Sequence, residues 1–325
     1  AKYRFSQMVG LSSRLRDVKE QARRAAERDA TVLLLGETGT GKELMAHAIH
    51  GASRRADKPL VGLNVAIRPA GGSFGLPQII SAAFDSSDPQ VAVAPDGRAL
   101  LVWTQDGTPG YSNKVIMASF RPAGGSFGTP QQLTDEATAT LPATTSPRVA
   151  MDAQGNAVIA WIYTETDGTQ LLQARYRSAA GTLGPPQTNI FAAGGGLPGG
   201  DPGAIYAPRL AMDSQGNAVL AWTDNPFPYP ADRFESEVRA ARRVAGAAST
   251  FDAQALLASR SSPDYPQSVT GVDASISHGT AMVSWYRNNA GRARTDYVYR
   301  AAGSSSWGAA TTLAGDTSNP QNSAY

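Results

Sequence analysis

The sequence predicts a mainly β protein that begins with a short α/β segment. Two observations support this prediction. From about residue 67 onwards a repeat recurs, and each copy holds an extended apolar run that ends in tryptophan. Before that point the order is helix, strand, glycine-rich loop, helix and strand, which is the order at the front of parallel α/β domains. We therefore expect two domains, residues 1–66 and 67–325.

The first helix is predicted to run from Ser12 or Ser13, which can cap its N-terminus, to about Arg28. One face carries apolar residues at helical spacing, namely Leu15, Val18, Ala22 and Ala25. The elements that follow are a strand over Thr31–Leu35, a helix from about Gly41 to His50, and an extended segment over Pro59–Ala66.

The loop before the second helix carries the most specific chemical signal in the sequence. It consists of Gly36, Glu37, Thr38, Gly39, Thr40, Gly41, Lys42 and Glu43. Its glycines let backbone N–H groups turn inward around a phosphate, and Lys42 adds a mobile positive charge. The helix behind it points its positive end at the same place. The pattern predicts that these eight residues bind phosphate.

Four segments of this region occur in the order and at the spacing of one protein family. They are Phe5–Gly10, Ala30–Glu43, Ala48–Arg54 and Pro59–Ala66. On these residues the segment resembles the AAA+ domain of sigma-54-dependent transcriptional activators. The resemblance implies that the loop holds the phosphates of ATP, that Val9 and Gly10 lie near adenine, and that Asn64 is linked to a catalytic glutamate. It also implies Mg²⁺ beside ATP, although Glu43 stands where the general pattern has a Ser or Thr ligand.

The resemblance ends near Ala66. The family continues towards a Gly-Ala-Phe-Thr-Gly-Ala loop that contacts sigma-54, and this sequence has no such segment. We also find no apolar strand ending in Asp-Glu, and no arginine finger or helical lid is assigned, so no catalytic residue is proposed. Because hydrolysis needs a metal, a positioned water and charge stabilisation, we expect neither ATP hydrolysis nor remodelling of RNA polymerase.

The second domain is marked by Trp103, Trp161, Trp222 and Trp285, which are 58, 61 and 63 residues apart (161 − 103, 222 − 161, 285 − 222). Asp-Gly or Gly-Asn turns between extended runs signal hairpins. A second element resembling Arg-Pro-Ala-Gly-Gly-Ser-Phe-Gly recurs at Arg68, Arg121, Arg177, Arg243 and Arg300. The repeat units are placed near residues 89–146, 147–207, 208–267 and 268–319.

Each unit is predicted to supply about four antiparallel strands. The array resembles bacterial β-propeller repeats, often found in secreted or surface proteins, with about four to five four-stranded blades. Residues 61–74 occupy the place that residues 115–127 hold in the next unit, so the second AAA+ strand replaces a blade's third strand. Either residues 59–80 and 320–325 pair to close a ring, or the array is open.

The repeated residues have structural interpretations. We expect one Trp per blade to pack between neighbouring blades; stacking on carbohydrate is the alternative. Asp152, Asp213 and Asp273 are predicted to cap turns by accepting hydrogen bonds from backbone N–H groups, since each turn has too few ligands for Ca²⁺. His47 and His50 lack visible partner ligands and are interpreted as ordinary helix residues. No metal site is predicted.

Composition excludes further site types. The chain has no cysteine, so disulfides and thiolate metal sites are excluded. Residues 1–66 hold 12 basic and 7 acidic residues, a charge of +5, and the rest hold 17 and 20, a charge of −3. The basic part suits an anionic partner, or it is a solvated helix face. No apolar run is long enough to span a membrane.

Three functions fit the sequence. The first is an ATP-binding segment of the sigma-54 regulator type, with incomplete ATPase machinery, fused to a propeller. The second is a non-catalytic propeller that binds a glycan or protein, with an inert P-loop remnant. The third is a propeller hydrolase, for which no acid/base constellation is visible. The first predicts a cytoplasmic protein and the second a secreted or surface protein. The abrupt join suggests a chimera, natural or constructed, or a misjoined reading frame.

Overall fold

The structure is a computed structural model. It describes residues 5, 8, 12–27, 32, 42–54, 56, 63–69, 71–81, 86–106, 114–134, 143–193, 204–224, 236–246, 248–259, 268–289 and 292–315. The chain divides into two compact units, Ala1–Ser86 and Ser87–Tyr325. The domain boundary near residue 66 stays a prediction.

The first unit contains α1 (Ser13–Ala26), α2 (Lys42–Ala52), β1 (Leu63–Val65) and β2 (Gln78–Ser81). Ser12 caps α1, because its Oγ accepts a hydrogen bond from the backbone N–H of Leu15 at 3.2 Å. The two helices share a small core. The predicted apolar face of α1 is partly wrong: Val18 is 44% exposed, and the buried stripe runs through Ala22 and Ala26.

The predicted first strand, Thr31–Leu35, lies outside the described residues apart from Val32. The second extended segment is seen as β1, which pairs antiparallel with β2. The third and fourth strands of each repeat are likewise consecutive, antiparallel and joined through a glycine-containing turn. The expectation that the second α/β strand takes the place of a blade's third strand stays a prediction.

The second unit is a propeller-like array of four consecutive four-stranded antiparallel meanders, which we call blades 1 to 4. Blade 1 comprises β3 (Ser86–Val93), β4 (Ala99–Asp106), β5 (Lys114–Arg121) and β6 (Gln131–Gln132). Blade 2 comprises β7 (Ala143–Met151), β8 (Ala157–Thr164), β9 (Gln170–Arg177) and β10 (Gln187–Ala193). Blade 3 comprises β11 (Ile205–Met212), β12 (Ala218–Asp224), β13 (Glu237–Arg243) and β14 (Ala255–Ala258). Blade 4 comprises β15 (Ser268–Ser277), β16 (Thr280–Asn289), β17 (Arg292–Arg300) and β18 (Thr311–Gly315).

Blades 1 and 2 are joined into one eight-stranded sheet by a parallel contact between Lys114 and Ala143. Blades 3 and 4 are separate four-stranded sheets. In every blade strands one and three end, and strands two and four begin, at one end of the sheet, which we call the turn end. Strands two and four end, and strands one and three begin, at the opposite end.

The apolar core lies between the blades, and the tryptophans fill it as predicted. Trp161 packs in a cluster shared by blades 1 and 2, Trp222 in one shared by blades 2 and 3, and Trp285 in one shared by blades 3 and 4. These three and Trp103 are between 0% and 2% exposed. Because the rings are buried, the alternative role of stacking on carbohydrate is ruled out for them.

The first strand of each later blade is kinked at one repeated position. Ser146 and Ala207 have positive φ angles of 53° and 47°, and each lies within a shift in the strand pairing. In blade 4 the shift occurs at Gly271, whose φ is 61°. These bulges fix the register of the blade, so that the residues beyond them turn their apolar side chains to the preceding blade.

Among the described residues, no helix is long and apolar enough to cross a membrane.

Candidate functional site

The predicted phosphate-binding loop leads directly into α2. Gly36 to Gly41 lie outside the described residues, while Lys42 and Glu43 are the first two residues of α2. The helix is held by Met45 and Ala48, which are buried against α1. A helix that begins at the loop lysine is the arrangement that phosphate binding requires. The eight-residue site itself stays a prediction.

The two histidines of α2 are interpreted from the sequence as ordinary helix residues. His47 and His50 are both partly buried, and the carbonyl oxygen of His50 accepts a hydrogen bond from Ser53 Oγ at 2.8 Å. Within the part of the chain that the structure describes, no three His, Cys, Asp or Glu side chains are grouped to hold a metal ion.

The predicted aspartate caps are present in blades 2 and 3. Asp152 Oδ1 accepts hydrogen bonds from the backbone N–H groups of Gln154 and Asn156, at 2.9 and 2.8 Å. Asp213 Oδ1 accepts equivalent bonds from Gln215 and Asn217, both at 3.0 Å. Both carboxylates are buried, so these bonds replace the solvation that the aspartates lose.

Asp213 also reaches into the next blade. Its Oδ2 accepts a hydrogen bond from the backbone N–H of Gly279 at 2.7 Å. Burial raises the pKa of Asp213, but the bonds from Asn217, Gly279 and Gln215 outweigh burial and hold it below its ordinary value. The turn aspartate therefore connects blades 3 and 4 through a buried hydrogen bond.

The prediction for Asp273 is wrong. Asp273 lies within β15, just beyond the bulge, and pairs with Ser284, so it occupies the strand position of Arg209 in blade 3. It is exposed and bonds only the adjacent N–H, that of Ala274, among the described contacts. Blade 4 instead turns through His278 and Gly279, both with positive φ, in a two-residue hairpin that needs no aspartate.

A polar cluster that the sequence did not reveal lies at the end of blade 3 opposite its tight turns. We call Asp224, Glu237, Arg239 and Gln254 the Asp224 cluster. Arg239 Nε donates to Asp224 Oδ1 at 3.1 Å, its Nη1 donates to Gln254 Oε1 at 2.8 Å, and its Nη2 donates to Glu237. The guanidinium lies 4.9 Å from the ring centre of Phe191, which belongs to blade 2.

Burial governs the chemistry of this cluster. The side chain of Asp224 is 1% exposed, and burial raises its pKa to about 7, while Arg239 offsets part of that effect. The carboxylates of Asp224 and Glu237 therefore meet on one guanidinium, but Asp224 is closed to a substrate. This pair suits positioning of the strand ends rather than the acid/base work of a hydrolase.

An alignment of the repeats contains one indication of this cluster, an arginine at the position where the preceding blade has a glutamine. Gln173 lies opposite Trp161 in blade 2 and accepts its indole N–H at 3.0 Å, whereas Arg239 lies opposite Trp222. A cation in place of an acceptor demands a nearby carboxylate, and Asp224 follows Trp222 by two positions.

Comparison with known proteins separates the two parts of the chain. Residues 8–71 match the family described as "Sigma-54 interaction domain". Over 65 residues the chain is 51% identical to the HTH-type transcriptional regulatory protein TyrR of Citrobacter braakii, covering 20% of this chain and 13% of that protein. Over 69 residues it is 54% identical to the Nif-specific regulatory protein of Azotobacter vinelandii, covering 21% and 13%. The chain thus spans about one eighth of the length of these regulators.

The described blades have distant likenesses among solved structures. A polysaccharide lyase, an ulvan lyase, aligns over 74% of this chain and 58% of its own, with 10% sequence identity and a TM-score of 0.47. The propeller-like description of the second unit rests on its own strand order and repeats.

Proposed function

We propose that the N-terminal segment is a nucleotide-binding segment of the sigma-54 regulator type, in which Gly36 to Glu43 hold the phosphates of ATP. The observation that carries this proposal is the family match over residues 8–71, which contains the whole loop. The start of α2 at Lys42 supports it, because the backbone N–H groups of a first helical turn attract phosphate.

Calorimetry with ATP tests this proposal on the full chain. Lys42→Ala removes one charge-assisted contact, and we expect it to weaken ATP affinity by about 10- to 100-fold, the equivalent of about 1.5–3 kcal/mol. Lys114→Ala is the matched control, since it removes the same charge from β5 in the second unit. Negligible heats for the unmodified chain, or equal heats for it and Lys42→Ala, would refute nucleotide binding at this loop.

Binding without turnover is the proposed activity. The family is named for sigma-54, which gives the kind of partner, but the sequence has neither the Gly-Ala-Phe-Thr-Gly-Ala loop nor an apolar strand ending in Asp-Glu. If Mg²⁺ accompanies ATP, Glu43 occupies the loop position at which the general pattern places the Ser or Thr metal ligand. This function places the protein in the cytoplasm.

A second candidate function is a binding module on the blades, for a glycan or a protein. The observation that favours it is the unequal length of the connections at the two ends. Blade 3 turns between β11 and β12 within residues 213–217, whereas the sequence between β12 and β13 is the longer stretch 225–236, which separates Asp224 from Glu237. Long connections on a rigid scaffold are the usual carriers of binding residues.

Glycan and protein arrays probed with the full chain test this second function. A hit should be lost when residues 226–234 are replaced by a short Gly-Ser linker and kept in Val244→Asp, an exposed position at the turn end. Absence of binding to every class, or a hit that survives the replacement, would reject these connections as the binding surface.

A further inference from the structure

One interface recurs at all three junctions between the blades. The second strand of each blade presents two apolar residues to the next blade, and the first strand of that next blade packs two residues against the same cluster. At the first junction these are Leu100 and Val102, with Val149 and Met151. The later junctions repeat the pattern, with Val158 and Ala160 against Leu210 and Met212, and Val219 and Ala221 against Ala274 and Ile276.

An arginine reinforces two of these junctions. The guanidinium of Arg177 lies 4.3 Å from the ring centre of Phe120 in blade 1, and that of Arg243 lies 4.7 Å from the ring centre of Tyr176 in blade 2. Arg243 Nη1 also donates to the carbonyl of Gly216, which fixes its plane. A cation stacked on an aromatic ring at a partly desolvated site adds to the apolar contact.

Blade 4 presents the same surface with little to cover it. Met282 and Tyr299 form a cross-strand pair, at the positions of Val158 and Tyr176 in blade 2. Val158 is 1% exposed, whereas Met282 is 44% and Tyr299 55% exposed. We call the side of blade 4 that carries this pair the trailing side. In blades 1 and 2 the aromatic ring on this side is stacked by an arginine of the following blade. In blade 4 the equivalent ring, Tyr299, is exposed.

Blade 1 carries the complementary residues. Val91 and Val93 hold the positions of Val149 and Met151, yet they are 55% and 61% exposed. Arg121 holds the position of Arg243: its Nη1 donates to the carbonyl of Gly97, the equivalent of Gly216. Its Nε is buried without a hydrogen-bond partner among the described residues. We call Val91, Val93 and Arg121 the leading side.

We propose that the trailing side of blade 4 in one copy of this chain binds the leading side of blade 1 in a second copy, repeating the interface that joins the blades within the chain. Val91 and Val93 cover Met282, and Arg121 stacks on Tyr299. The two sides differ, so the contact is head to tail, and it closes into a ring or extends as a chain of copies.

Sedimentation velocity of the full chain over a range of concentrations tests this proposal. We expect the unmodified chain to self-associate, and Tyr299→Asp and Val93→Asp each to remain monomeric. Tyr299→Phe keeps the ring and should associate. The matched control is Val244→Asp, because Val244 is 56% exposed but belongs to neither side, and it should associate like the unmodified chain.

Mixing the two defective variants identifies the pairing. Tyr299→Asp keeps an intact leading side and Val93→Asp an intact trailing side, so an equimolar mixture should form a heterodimer through one unmodified interface. Equal midpoints of thermal unfolding for all variants would show that a loss of association is not caused by a loss of the fold. A chain that stays monomeric at every concentration, association that survives both substitutions, or a mixture that stays monomeric would overturn the proposal.

Discussion

Asp213 of blade 3 accepts a hydrogen bond at 2.7 Å from the backbone N–H of Gly279, the turn glycine of blade 4. The same carboxylate binds two N–H groups of its own turn. One buried side chain therefore stabilises the turn of blade 3 and also bonds blade 3 to blade 4 at the turn end.

Replacing this carboxylate should destabilise the array strongly. Asp213→Ala leaves several buried donors without an acceptor, and we expect a loss of about 2–4 kcal/mol in the free energy of unfolding. Asp167 also caps a turn, with a 2.8 Å bond from Thr169, but is exposed, so Asp167→Ala should cost about 1 kcal/mol or less. Urea titrations of both variants measure the difference, and similar losses would contradict the inter-blade role.

The turn glycine of blade 4 provides a second test. Gly279 has a φ of +77°, and a Cβ there would lie 3.3 Å from Ala302 Cβ. Gly303 has nearly the same φ, +76°, with nothing within 4 Å. Both alanine variants suffer the strain of a left-handed backbone, about 1 kcal/mol. Gly279→Ala should lose more stability than Gly303→Ala, because its Cβ also crowds Ala302. Equal midpoints of thermal unfolding for the two variants would show that the crowding has no energetic cost.

The tryptophans differ in their polar contacts. Trp161 donates its indole N–H to Gln173, whereas the indole N–H of Trp222 has no partner among the described residues. Trp161→Phe strands the buried amide oxygen of Gln173, so it should cost about 1–2 kcal/mol more than Trp222→Phe. Trp222→Ala should cost about 3–5 kcal/mol through its cavity. Chemical denaturation of the three variants measures these losses in the free energy of unfolding. A larger loss for Trp222→Phe than for Trp161→Phe would contradict the prediction.

The Asp224 cluster predicts an unusual dependence of stability on pH. Because the pKa of Asp224 is raised to about 7, the folded protein holds a proton that the unfolded chain releases near pH 4. The contribution of Asp224 to stability is therefore full below about pH 4 and is lost as the pH rises to about 7. The slope is at most about 1.4 kcal/mol per pH unit.

Asp224→Asn removes this titration. Its stability relative to the unmodified chain should improve as the pH rises from 4 to 7 and then stay level. Arg239 keeps Glu237 and Gln254 as partners in the variant, so the fold is retained. Denaturation midpoints measured across this range provide the test, and parallel curves for the two proteins would mean that Asp224 is ionised throughout.

The sequence revealed those features that depend on near neighbours along the chain. The repeat spacing and the hairpin turns predicted four-stranded blades and one buried tryptophan in each, and the cap at Ser12 followed from local hydrogen bonding. The glycine-rich loop likewise identified the family resemblance, because its residues are contiguous. Its activity awaits the ATP experiment.

The features that depend on distant partners were decided only by the tertiary structure. Asp273 lies in a strand rather than a turn, because pairing with β16 carries β15 on to Ser277 and places the turn at His278 and Gly279. The Asp224 cluster joins β12, β13 and Gln254, the residue before β14, with a ring from blade 2, and no sequence period encodes this set of contacts. Val91 and Val149 have the same place in the repeat, yet only Val149 is covered, because burial depends on the neighbouring blade rather than on the residue.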